Sequence, residues 1–73
     1  MKKNQFLDEL KIIFEVKKID ENLKLEKLNY DSLKLLELIA FKENKFKNLK
    51  IKPSDLESCK KISDLIKLFK IKL

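Results

Sequence analysis

The chain of 73 residues has no glycine, no histidine and no arginine, and only one cysteine and one proline. Each absence removes a class of chemistry. Without glycine there is no flexible phosphate loop and no dinucleotide fingerprint, because both need backbone that can approach a ligand closely. Without histidine, the usual general base near neutral pH and the commonest metal ligand are gone. The single Cys59 cannot close an internal disulfide and offers no metal-site spacing. Catalysis by the chain's own side chains is therefore not expected. No apolar run reaches the ~20 residues of a membrane span, and the N-terminus lacks a signal-peptide core. A soluble, reducing, cytoplasmic setting is the expectation.

What is present in quantity is lysine, which carries all of the positive side of a formal net charge of +6. A basic chain admits nucleic acid or an anionic membrane as partner. Bidentate base readout relies on arginine, however, and an A+T-rich coding bias would also produce a chain rich in Lys, Ile, Leu, Asn and Phe. Charge alone does not name a partner, and no nucleic acid is expected. The length suits one domain over residues 1–73. A domain of that size buries only about 60% of the surface its unfolded chain exposes, so the core should be thin.

From Asn4 to about Val16, Phe6, Leu7, Leu10, Ile13 and Phe14 recur at helical spacing, with Asn4 as cap, Asp8 and Glu9 early and Lys17 and Lys18 late. Ile19 to Tyr30 keeps no period and reads as a long loop pinned by spaced leucines. A second helix, dense in leucine, opens at Asp31-Ser32 and runs to Phe46. Asp and Ser are preferred caps because a side-chain oxygen accepts from the unpaired N–H groups of a first turn. On its wheel Leu35, Ile39 and Phe46 face inward with Leu38 at the edge, while Phe41 falls among Lys34, Glu37, Asn44 and Lys45. Lys42 must run its stem along the core edge.

Lys47 to Pro53 alternates like a strand but has no second strand to pair with, so it reads as loop. Ser54-Asp55-Leu56-Glu57 is a capping-box pattern for a short third helix, and Ser63 reads as the cap of a last helix from Asp64 to about Phe69. Cys59 reads as a small buried apolar residue. The fold class is all-α. The expected architecture is a four-helix bundle of three main helices and one short third helix, with a long loop between helices 1 and 2. Its core should hold Phe6, Leu10, Ile13, Leu35, Ile39, Phe46, Ile62, Ile66 and Phe69.

Asp31-Ser32-Leu33, followed by Glu37-Leu38-Ile39 and a closing Phe46, resembles the acyl and peptidyl carrier proteins. The resemblance covers nearly the whole chain in helix order and loop length, with its specific motif confined to residues 31–46. It implies a monomeric carrier with no catalytic group of its own. Ser32 would be the attachment point of 4′-phosphopantetheine, whose thiol holds acyl or aminoacyl groups as thioesters, and Asp31 would assist loading. Partners would be a phosphopantetheinyl transferase, an acyl- or aminoacyl-loading ligase and downstream transferases, in fatty-acid synthesis or a specialised pathway. Leu33, Lys34, Glu37, Ala40 and Phe41 would form the partner-binding face. Asn29 stands where the family usually has a small residue, and Lys34 and Lys45 replace acids. Charge reversal on that face disfavours the basic partners of acidic carriers and points to a dedicated ligase, or else to coding bias. Two other readings stay open: a lysine-rich helical module binding nucleic acid or acidic protein, and a helical structural protein in which Asp31-Ser32 is only a cap.

Overall fold

The apolar periodicity places four helices, and the polar residues at their starts fix the boundaries. The computed structural model describes residues 1–71. It contains α1 (Lys3–Phe14), α2 (Ser32–Lys45), α3 (Pro53–Glu57) and α4 (Ile62–Leu68), with a single 3-10 turn at Leu25–Leu28. The chain is all-α, with no strand among the described residues. No helix is long and apolar enough to cross a membrane among those residues. With α4 at 7 residues and α3 at 5, two helices are long and two short, rather than three and one.

Three helices start one or two residues ahead of the expected caps Asn4, Ser54 and Ser63. Their N-cap residues are Lys2, Lys52 and Lys61, whose ammonium groups cannot accept a hydrogen bond. The third helical residue reaches back instead. Lys2 N donates to Gln5 Oε1 at 3.1 Å, and Lys52 N to Asp55 Oδ2 at 2.9 Å. Lys60 N and Lys61 N share Asp64 Oδ2 at 2.8 and 3.0 Å. Pro53 occupies the first helical position of α3, where its missing N–H costs nothing. Only α2 has an N-cap side chain that accepts, Asp31.

The core gathers around four phenylalanines. The Phe6 ring lies 5.9 Å from Phe41 and 5.2 Å from Phe69. Phe41 lies 5.7 Å from Phe46 and 5.8 Å from Phe69, and Phe46 lies 5.4 Å from Phe69. Phe6 is near the start of α1 and Phe41 near the end of α2. At the other end Lys34 Nζ, early in α2, donates to Ile13 O late in α1 at 2.8 Å. The two long helices therefore run in opposite directions.

This packing corrects the expected face of α2. Leu38 is fully buried and Phe41 is 7% exposed, while Leu35, Ile39 and Phe46 are half-buried against the core. The helix is apolar on almost every side, so its wheel does not select a face; contact with Phe6 and Phe69 does. Lys42 follows expectation, its side chain 12% exposed and its ammonium 3.2 Å from Glu43. Phe6, Leu10, Ile62, Ile66 and Phe69 are buried as expected, and Ile13 is half-buried.

The loop from Glu15 to Asp31 is more structured than its irregular pattern implies. Leu25 and Leu28 are buried, and the backbone pairs with the approach to α4. Leu25 N donates to Lys60 O at 2.8 Å, Ile62 N to Leu23 O at 3.0 Å and Ser63 N to Glu21 O at 2.8 Å. Between α2 and α3, Leu49 and Ile51 turn toward the core and Lys50 and Lys52 toward solvent, so the alternation is that of an extended, unpaired loop.

Truncating Phe41 to Ala should cost about 3–5 kcal/mol in urea unfolding, against less than about 0.5 kcal/mol for exposed Leu33→Ala. The Asp64 carboxyl is held below its ordinary value of 3.8, chiefly by the N–H groups of Lys60 and Lys61. Its folded value lies below its unfolded one, so its stabilisation is present above the ordinary carboxylate range and is lost as pH falls through the folded value. Asp64→Asn should flatten the acid limb of a stability-versus-pH curve measured between pH 6 and 2.5.

Candidate functional site

The start of α2 is held from both sides. On the N-terminal side, Asn29 takes the left-handed conformation (φ 54, ψ 52), which Asn enters more readily than most residues. Tyr30 Oη then donates to Leu56 O at 2.6 Å, and the Tyr30 ring lies 6.1 Å from Phe14. Burial, with Cys59 and Glu57 nearby, raises the phenol well above its ordinary range, so it stays a donor. On the C-terminal side Lys34 is the anchor. Its side chain is only 12% exposed, its Nζ bonds Ile13 O at 2.8 Å, and Glu37 and Glu15 lie at 3.4 and 4.0 Å. A cation on the last carbonyls of α1 is favoured both by hydrogen bonding and by the helix dipole.

Between these anchors, Asp31 and Ser32 divide the work. Asp31 Oδ1 accepts from Lys34 N at 3.1 Å and so satisfies the first turn. Ser32 is the first residue of α2 and is exposed. Its hydroxyl makes no hydrogen bond within the described residues, whereas Ser58 Oγ is spent on Ser54 O at 3.0 Å. The cap is therefore Asp31, and the serine oxygen is free for solvent or an incoming group.

The surroundings of Ser32 differ from those expected. Leu33 and Ala40 are exposed, and Glu37 is half-buried. Lys34 and Phe41 turn inward, so neither lies on an outward partner face: Lys34 closes the end of α1 and Phe41 fills the aromatic core. In their place stands Leu36, 63% exposed beside Leu33 at 59%. Leu33, Leu36 and Ala40 recur at three and four residues and form one apolar stripe. Its spacing was visible in the sequence once the buried face of α2 is set by Leu38 and Phe41.

Cys59 is buried, its Sγ 3.5 Å from Asp55 O, and burial with nearby Asp64 and Asp55 pushes its thiol up to about 11. It is a packing residue with little thiolate at neutral pH. Among the described residues, no group of three or more Cys, Asp or Glu side chains is placed to hold a metal ion. Compared with protein-family models, curated proteins and solved structures, the chain matches none.

Removing the Lys34 anchor should loosen both helices that meet there. Lys34→Ala should cost about 1.5–3 kcal/mol, the range for a hydrogen bond to a charged group. Amide exchange should then speed up at the end of α1 and the start of α2; protection unchanged at both places would show that the anchor is not holding them.

Proposed function

We propose that this chain is a carrier protein that bears 4′-phosphopantetheine on Ser32 and holds acyl or aminoacyl groups as thioesters, with its helices arranged as a four-helix carrier bundle. The observation that carries the reading is the free, exposed hydroxyl of Ser32, set at the first turn of α2 while Asp31 takes over the capping. Ser54 and Ser63, in the first turns of α3 and α4, also leave their hydroxyls unbonded; what sets Ser32 apart is its place at the start of a long helix between two anchors, Tyr30 and Lys34.

The residues fit the group. A phosphodiester at Ser32 would lie at the positive end of a 14-residue helix, where negative charge is favoured. In attachment, Ser32 Oγ attacks the phosphorus of coenzyme A nearest the pantetheine, its proton passes to a base of the transferase, and the nucleotide 3′,5′-bisphosphate leaves. Asp31, with its second carboxylate oxygen unengaged in the chain, would assist that transferase. Once attached, the group supplies the thiol. The chain itself supplies an exposed tether point and an outward stripe of Leu33, Leu36 and Ala40 for enzymes to grip.

The charge reversal relative to acidic carriers now rests on fewer residues. Lys34 is engaged inside the fold, so it no longer counts toward partner choice. Lys45 remains exposed, as do Lys47, Lys50 and Lys52. These favour a dedicated ligase with an acidic docking surface, and that partner decides between a specialised pathway and fatty-acid synthesis.

Incubation with coenzyme A and a broad-specificity transferase should add the mass of one phosphopantetheine at Ser32. Ser32→Ala should abolish the gain while leaving the helical circular dichroism spectrum unchanged. Asp31→Asn, which retains a capping oxygen, should slow loading at least tenfold with little loss of stability. Wild-type protein that gains no mass with several transferases sinks the reading.

A further inference from the structure

Tyr30 immediately precedes the Asp31-Ser32 step and is tied to two other helices at once. Its ring lies 6.1 Å from that of Phe14, the residue that closes α1. Its hydroxyl donates to Leu56 O, at the end of α3, at 2.6 Å. The next tether along the chain is Lys34, whose ammonium holds Ile13 O at 2.8 Å. Only Asp31, Ser32 and Leu33 lie between the two. Ser32 is the middle residue of a short span fixed at both ends.

Neither packing nor hydrogen-bond satisfaction requires the Tyr30 hydroxyl. Leu56 O also accepts from Cys59 N at 3.2 Å, so without the phenol it would not be left unpaired. A phenylalanine would keep the ring against Phe14 and would spare the cost of taking a polar group out of water. What the hydroxyl adds is direction. A ring contact tolerates sliding, whereas a hydrogen bond weakens steeply as its distance and angle depart from the optimum. The bond to Leu56 therefore fixes the approach to α2 against α3, two residues before the serine. Lys34 cannot do the same, because it acts from within α2 and holds that helix against α1.

We propose that Tyr30 is a positioning residue for the loading of Ser32: its hydroxyl, through Leu56, sets the direction in which Ser32 Oγ faces the incoming coenzyme A. This assignment rests on the carrier reading. Its effect falls on the chemical step rather than on docking. The stripe of Leu33, Leu36 and Ala40 that a transferase would grip keeps all its side chains when the phenol oxygen is removed. The attacking oxygen, in contrast, loses part of what aims it, and a misplacement of about 1 Å can cost roughly a hundredfold in rate.

The test compares the full chain as wild type, Tyr30→Phe and Ile66→Val, each loaded from coenzyme A by one phosphopantetheinyl transferase. Attachment at Ser32 is followed by mass spectrometry over a range of carrier concentrations. Ile66→Val trims the buried core of α4 and so controls for lost stability alone. Tyr30→Phe should lower kcat at least tenfold while KM for the carrier stays within twofold. Amide exchange at Asp31 and Ser32 should quicken in that variant, and Ile66→Val should load at the wild-type rate. If Tyr30→Phe loads as fast as wild type, or only its KM rises, the positioning role is overturned and the carrier reading stands. Equal slowing in both variants, or a Tyr30→Phe chain that no longer folds, assigns the hydroxyl to stability and overturns the role as well. Wild type that gains no mass overturns both.

Discussion

Contact among Phe6, Phe41, Phe46 and Phe69 is the constraint on which the rest of the fold depends. These rings come from the start of α1, the end of α2 and the residue that closes α4, so one cluster fixes three helices at once. Each aromatic pair adds about 0.5–1.5 kcal/mol beyond the area it buries. In a domain with so little interior, that is a large share of the margin between folded and unfolded. The cluster also sets the rotation of α2, because burying Phe41 turns Leu33, Leu36 and Ala40 outward.

The far end of the same helix pair is built from polar contacts. Lys34 reaches the Ile13 carbonyl of α1, Tyr30 reaches Leu56, and the exposed Asp31-Ser32 step lies between. An apolar clamp at one end and two hydrogen-bonded anchors at the other leave the serine on a rigid base while its hydroxyl stays free. That is a useful arrangement for any chemistry done to the serine by another protein, since the reacting oxygen is presented without local unfolding.

The sequence was most legible where one signal dominated. Helix positions follow from periodicity, and Asp31 as cap from its acceptor. The wheel of α2 points to the wrong face because Leu33, Leu35, Leu36, Leu38, Ile39, Ala40 and Phe41 leave almost no polar arc to orient it. Asn4, Ser54 and Ser63 have the side chains of good caps, yet Gln5, Asp55 and Asp64 do the bonding from inside the helix and move the three starts forward. The pairing of residues 21–25 with 60–63 joins segments far apart in the chain by backbone bonds alone, and such bonds leave no mark in side-chain pattern. The free state of the Ser32 hydroxyl likewise depends on where its neighbours point.

The left-handed turn at Asn29 has two counterparts elsewhere among the described residues. Glu15, Asn29 and Lys70 all hold positive φ, at 58, 54 and 55°, and none is glycine because the chain has none. Glu15 and Lys70 carry a Cβ into a conformation that costs such residues about 1–2 kcal/mol. Each closes a helix, where glycine is the usual occupant. Two helix ends therefore carry a backbone cost that glycine would avoid, and part of the chain's stability reserve lies in backbone conformation as well as in the core. A change of Lys70 to glycine would add tolerance for further substitution elsewhere without touching Ser32 or its anchors, whereas at Glu15 it would also remove a carboxylate 4.0 Å from the Lys34 ammonium.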